Sequence, residues 1–320
     1  MKMNSSKTLF TMMILISTIL TTASNNILMS WMSMEMNLIG FLPMMTKSKK
    51  MKDQSMKYLI IQSMASSMFL MSILMNLIID CPINESVMMM SSMLIKLGMM
   101  PFHLWMPMLM NSLSWMNCFL MMTWQKIIPT VIITQMTNLK LMILPMMLSM
   151  MISPMVALNQ LSIKKILAYS SISNIPMMIT AMKLSKLIFI YLMMIYSMIN
   201  FMLVSMMKTL NLKFLNQMMK QNKLNKLMIM VNFLSMSGLP PMIGFYPKWL
   251  IIQMTMKISL MISMSMITAS IISTFVYLKM LMPIMLNTIK MIPNKFKTKN
   301  EVISMINITG IFLPMILKMN

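Results

Sequence analysis

Four ionisable side chains interrupt apolar runs in this chain: Glu35, Lys96, Lys126 and Lys248. A charge at bilayer depth costs at least a few kcal/mol, so its presence there argues for a use. One carboxylate and three amines suit proton exchange. Burial disfavours the charged form of a lysine and brings proton release within reach, whereas an arginine would hold its proton. A neighbouring charge can throw the switch: two unit charges ~8 Å apart in an effective dielectric of ~20 interact by ~2 kcal/mol. Movement of Glu35 toward or away from Lys96 would then load or unload a proton. Plainer readings stand beside this one. Glu35 is otherwise a carboxylate kept buried by a lysine partner, and Lys96 and Lys248 are lysines that snorkel to headgroups. Lys126, central to its span, lies too deep to snorkel.

His103 follows Pro101 and is either a proton relay or a hydrogen-bonding cap on carbonyls that the proline frees. Lys164 and Lys165 precede Ile-Leu-Ala-Tyr-Ser-Ser. They read as proton access, with Lys165 the candidate, or as interfacial anchors. Trp31, Trp105, Trp115, Trp124 and Trp249 read as packing or interface residues.

These residues need a membrane around them. Of the 320 residues, 58% are hydrophobic and only 10% charged, against about 25% charged in a soluble domain. The apolar blocks are mostly long enough to cross a ~30 Å hydrocarbon core as helices. They predict eleven spans: 5–23, 25–45, 58–79, 87–109, 113–134, 141–157, 161–181, 187–207, 227–250, 256–281 and 302–318. The first block leads into a second apolar block and not a polar domain, so no cleavable signal peptide is expected.

Sorting the loops by side gives nineteen lysines on the side of the N-terminus, including 47–57 and 208–226, against five opposite, where the acidic loop Asp80–Glu85 also lies. The positive-inside rule keeps the lysine-rich side where synthesis occurs. For an organelle-encoded protein that side is the matrix, and the C-terminus then reaches the intermembrane side.

The net charge of +22 comes from 27 basic residues, all lysine. In a soluble chain it would suggest nucleic acid; lysines that lie mainly in short loops between apolar spans exclude that reading. The 62 methionines replace Leu and Val without changing polarity. They fit the mutational bias of an AT-rich genome and not a metal site. Cys81 and Cys118 are too few for an iron–sulfur cluster, which needs about four ligands. A single histidine and five scattered glycines provide neither a bis-histidine haem site nor a nucleotide loop. No cofactor is expected in this chain.

Two spans are interrupted. The fourth carries Lys96-Leu-Gly-Met-Met-Pro-Phe-His-Leu-Trp105, where Pro101 lacks an N–H and would clash with the Leu97 carbonyl. The ninth carries Ser237-Gly-Leu-Pro-Pro-Met-Ile-Gly-Phe-Tyr-Pro-Lys-Trp249. Five spans apart, the two run in opposite senses, which is the mark of an inverted-repeat transporter. The expectation is an all-α polytopic membrane protein. Residues 1–140 and 141–300 form two inverted five-helix units with discontinuous helices, and 301–320 an extra C-terminal helix.

Lys96-Leu-Gly-Met-Met-Pro-Phe-His-Leu-Trp-Met-Pro107 resembles the lysine-bearing broken helix of antiporter-type subunits of respiratory complex I. Within that superfamily four segments are similar to the chain 2 family. They are Met34-Glu-Met-Asn-Leu38, Thr123-Trp-Gln-Lys-Ile127, Lys165-Ile-Leu-Ala-Tyr-Ser-Ser-Ile172 and the stretch 237–249, the last being the most specific. The resemblance covers nearly the whole chain. It implies Glu35 as the acid partner, Lys96 as the central-channel lysine, Lys126 as the bridging lysine and Lys248 as the exit-side lysine. It also implies proton pumping driven by quinone reduction in other subunits, and eleven spans as a bacterial fourteen-helix form shortened by three. Other membrane-arm subunits, such as chain 4 and chain 4L, and lipid such as cardiolipin would be its partners. One departure is Asn174, in Asn174-Ile-Pro-Met177, where relatives often carry histidine; a His-based relay at that point is in doubt.

Two rivals share these features. A free-standing cation/proton antiporter would work alone in liposomes. A structural subunit with a vestigial channel could lose its four buried charges without cost.

Overall fold

A computed structural model describes residues 5–46, 49–78, 82–136 and 139–286. The eleventh expected span, Asp80 of the acidic loop, Cys81 and the lysines at 2, 47, 290, 295, 297, 299 and 318 lie outside the described residues. What is described is all-helical; the only β pairing there is an isolated bridge between Ser162 and Phe214.

The helices are α1 (Ser5–Ala23), α2 (Ile27–Met45), α3 (Lys49–Ile78), α4 (Pro82–Leu97), α5 (Trp105–Ser112), α6 (Trp115–Met122) and α7 (Trp124–Met136). After these come α8 (Leu139–Ala157), α9 (Ile163–Leu184), α10 (Lys186–Thr209), α11 (Leu215–Met219), α12 (Lys223–Ser237), α13 (Phe245–Thr255) and α14 (Leu260–Leu286). Pro82 opens α4 at the position where a missing N–H costs nothing. Helix α3 starts nine residues before the expected span at 58, because the Lys- and Met-rich lead has good helix propensity even where it is not apolar. The stretches Asp53–Met75, Trp115–Gln135, Lys186–Thr209 and Leu260–Met285 are each long and apolar enough to cross a bilayer. Lys7–Ala23, Val87–Leu97 and Leu141–Ala157 are shorter apolar helices.

Burial is inverted relative to a protein in water. Leu144 and Leu187 are 68% and 79% exposed, while Ser17, Ser72, Ser149, Ser171 and Asn200 are fully buried. Large apolar side chains thus face outward over a wide area, as a hydrocarbon surrounding requires. The small hydroxyl residues let helices approach, and many close their own bonds within a helix. Ser17, Ser72, Ser149 and Ser171 each donate to the carbonyl three residues earlier, at 2.6–2.9 Å. No buried hydroxyl of this kind needs a partner on another helix.

Among the described residues, those up to Ser149 and those from Met150 onward form two compact units. In the first, α1 packs on α2 and α3 on α4, while α7 touches α1, α2, α4 and α6. In the second, α9 packs on α10 and α13, and α12 on α10 and α14.

Candidate functional site

Helix α4 stops at Leu97 in a Schellman motif. Gly98 takes φ +69°, its N–H bonds Ile95 O at 3.1 Å, and Met99 N–H bonds Leu94 O at 3.0 Å. A left-handed φ costs a non-glycine residue roughly 1–2 kcal/mol, which is why glycine stands there. Two carbonyls of the last turn are received from outside the helix. Trp105 Nε1 donates to Ile95 O at 3.1 Å and Gln62 Nε2, from α3, to Lys96 O at 3.4 Å. Chain direction resumes as helix at Trp105, and Pro107 sits in the first turn of α5, where its missing N–H has no partner to lose.

Lys96 thereby hangs from the final turn of a half-helix, 7% exposed. Its Nζ lies 3.3 Å from Met34 Sδ, a weak acceptor, and it feels the charge of Glu35, the next residue on α2. Glu35 Oε1 is itself buried and accepts no hydrogen bond among the described residues. The Lys96 amine is thus turned inward onto α2 and not toward the surface.

Lys126 is 2% exposed. The fifth span, expected to be continuous, is divided at Thr123, which takes φ −113° and ψ −74° between α6 and α7. The Thr123 hydroxyl and backbone N–H both donate back to Phe119 O, at 2.8 and 3.1 Å. Six residues on, Pro129 cannot donate to the Gln125 carbonyl. Lys126 therefore sits between a helix end and a proline-weakened turn. A cavity of about 30 Å³ is lined by both Lys96 and Lys126 together with Asn37, Tyr58, Gln62 and Gln125. A water needs roughly 10–15 Å³ and two to four polar partners, so this space can hold water between the two amines. Asn37 Nδ2 donates to Gln125 Oε1 at 2.8 Å and Gln125 Nε2 to Asn37 Oδ1 at 3.2 Å. That reciprocal pair fastens the helix of Glu35 to the helix of Lys126.

The second unit contains the other break. Gly238 takes φ +78°, with Gly238 N–H on Ser235 O at 3.2 Å and Leu239 N–H on Leu234 O at 3.5 Å, a second Schellman motif. Lys248 Nζ reaches back from α13 and donates to Met236 O and Ser237 O, both at 2.9 Å. A cation at the negative end of the α12 dipole is well placed electrostatically. A side chain on Gly238 would press on Lys248, and one on Gly244 would overlap the Ser235 carbonyl. Lys248 is thus held at the half-helix end and does not extend toward a headgroup.

The remaining candidates fall elsewhere. His103 Nδ1 lies 3.2 Å from Pro101 O, inside the break but outside the cavity lining. Lys165 is half-buried, and its neighbour Lys164 is the more buried of the two, at 7% exposure. Lys226, assigned to a loop from sequence, is 1% exposed on the first turn of α12. The polar composition around it concealed this, since α12 begins within that stretch.

The family of the NADH:quinone oxidoreductase/Mrp antiporter transmembrane region matches residues 83–274. The NADH-ubiquinone oxidoreductase chain 2 of Locusta migratoria is 38% identical over 282 residues, 83% of this chain and 82% of that protein. The chain belongs to the NADH-ubiquinone oxidoreductase chain 2 family. The chain 2 of Anopheles gambiae is 36% identical over 94% of this chain and 93% of its own length. A chain of respiratory complex I from Thermus thermophilus shares the fold at a TM-score of 0.79, with 17% identity, covering 98% of this chain and 80% of that one. A chain of an Mrp complex from a Dietzia species shares it at 0.74, with 14% identity, covering 91% and 62%.

In this chain 2 family member, sequence reasoning missed three things. Asn37 and Gln125 lie in motifs chosen for their charged neighbours, and nothing along the chain shows that amides 88 positions apart meet. The break at Thr123 has only Pro129 as a local signal. A weak internal match was legible and overlooked. Gly98 and Gly238 are each followed by proline at three positions (Pro101, Pro241), an aromatic residue at seven (Trp105, Phe245) and proline at nine (Pro107, Pro247).

Proposed function

We propose that this chain moves protons through Glu35, Lys96, Lys126 and Lys248, with two inverted five-helix units each built around one broken helix. The chain is an antiporter-like membrane subunit of NADH-ubiquinone oxidoreductase and contributes to that enzyme's proton-translocating reaction as one of its subunits. One observation carries the relay: Lys96 and Lys126 line the same buried, water-sized space. Glu35 supplies the bias. Its charge favours the protonated amine when near, and at ~2 kcal/mol for ~8 Å separation the effect is about thirtyfold in proton occupancy. Protons pass from Lys96 through water to Lys126, and Lys248 serves the second unit, where two carbonyls at the α12 end accept from its amine.

The matching glycine–proline–aromatic–proline spacing of the two breaks supports an internal repeat over 1–140 and 141–300. The nineteen-to-five lysine split supports a matrix-side N-terminus in the mitochondrial inner membrane. Neighbouring membrane-arm subunits such as chain 4 and chain 4L, with lipid such as cardiolipin, complete its surroundings. His103 closes the break by its contact with Pro101, and Lys165 stands at a proton entrance together with Lys164. In Lys96→Met the assembled enzyme should keep its redox centres but move fewer protons per NADH in proteoliposomes. Unchanged stoichiometry would end the relay reading. Proton-driven cation exchange by the isolated chain would favour the free-standing antiporter.

A further inference from the structure

The second unit contains buried polar atoms that the four-residue relay does not use. Tyr196 Oη on α10, Asn200 Oδ1 one turn later and Tyr277 Oη on α14 are buried, and none has a hydrogen-bond partner of normal geometry among the described residues. A buried hydroxyl or carbonyl left unmade costs about 1–3 kcal/mol, so three such atoms together call for a physical account. They are not scattered. The Tyr196 hydroxyl stands beside the side-chain amides of Asn174 and Asn200 and near Tyr277, and the Tyr277 hydroxyl stands beside Ser170.

The space for those waters exists on both sides. One cavity, about 40 Å³, is lined by Lys248, Asn174 and Tyr196. A second, about 10 Å³ and so fit for one water at most, is lined by Ser170 and Tyr277. The two tyrosines link the cavities. Ser170 and Asn174 stand four residues apart on α9, hence on one face. The Asn200 amide is oriented by its Nδ2 bond to Tyr196 O at 2.9 Å, which leaves Oδ1 as a fixed acceptor beside the Tyr196 hydroxyl.

We propose that Lys248 is served by an uncharged proton wire, in which water and the hydroxyls of Tyr196, Tyr277 and Ser170 carry protons and the amides of Asn174 and Asn200 orient them. The wire leads from the α12 break toward the Ile163 end of α9, about two helical turns below Ser170, where Lys164 is buried. It rests on the relay reading above, and on that topology this end faces the matrix. Each hydroxyl accepts one proton as it releases another: one O–H bond forms as one breaks, no group keeps a net charge, and the chain then rotates back for the next transfer. Lysine is needed only at the terminus, where a proton must pause.

The test uses the assembled enzyme with Tyr196→Phe, Tyr277→Phe or both, since phenylalanine keeps the ring and removes only Oη. Proton translocation per NADH is measured in proteoliposomes beside Lys248→Met. Elements in series should lose the same amount singly and together, with native-gel assembly and NADH oxidation by the peripheral redox centres retained. If Lys248→Met lowers the stoichiometry and both tyrosine variants do not, the wire is wrong while the relay stands. If Lys248→Met also changes nothing, the relay itself fails. Should the tyrosine variants fail to assemble, density in an experimental map of the unaltered enzyme decides. Ordered water between Tyr196 and Asn200 and between Tyr277 and Ser170 supports the wire; dry cavities overturn it.

Discussion

Asn37 and Gln125 exchange both amide hydrogen bonds, 2.8 and 3.2 Å long, across the gap between α2 and α7. Asn37 lies two residues after Glu35 and Gln125 immediately before Lys126. The helices that carry Glu35 and Lys126 are therefore held in register by a neutral pair in which each amide both donates and accepts. An ionic pair in that place would compete with Glu35 for the lysines.

The pair should matter for position more than for charge. Asn37→Leu leaves the Gln125 amide unmatched and should destabilise the unit by about 1–2 kcal/mol. It should also lower coupled quinone reductase activity although no ionisable group is lost. A double-mutant cycle with Gln125→Leu should show strong non-additivity, and simple additivity would deny the coupling.

Lys126→Met should permit assembly and reduce proton pumping or the coupled quinone reductase rate, because methionine keeps the chain length and removes the proton site. Lys126→Arg should also be defective, since a guanidinium keeps its proton. Full activity in the arginine variant would mean that Lys126 provides charge alone.

The glycines at the breaks should tolerate little. Gly98→Ala and Gly238→Ala each force a left-handed residue with a Cβ, at a cost of roughly 1–2 kcal/mol. Gly244→Ala is more severe, because its Cβ meets the Ser235 carbonyl. Thermal denaturation of the assembled membrane arm should rank Gly244→Ala as the least stable of the three; equal stabilities would contradict the close approach.

Orientation can be checked from outside. Residues 49–57 and 208–226 should be reached by protease or label only after the matrix face is opened. Within the second stretch Lys226 should react slowest, being 1% exposed. Labelling of 208–226 in intact mitoplasts would reverse the topology.

Much of the architecture can be read along the chain because hydrocarbon imposes its rule on each segment separately. A span must be apolar and must close its own backbone hydrogen bonds, so each of the ten expected spans that fall in the described residues overlaps helix there, three of them divided between two helices. The same locality exposed Glu35, Lys96, Lys126 and Lys248, since an ionisable residue in an apolar run is conspicuous by itself. Gly98 and Gly238 could be placed at breaks because proline and glycine act on their own backbone. Neutral polar residues give no such signal. Asn37, Gln125, Tyr196, Asn200 and Tyr277 look like ordinary members of their helices, and only the packing of α2 on α7, and of α9 with α10 and α14, brings their polar atoms together. Burial of Lys164 and Lys226 likewise depends on which helix covers a span's end. Chemistry with a large solvation cost is written in residue type; chemistry made from short-range hydrogen bonds between distant segments exists only once the helices have packed.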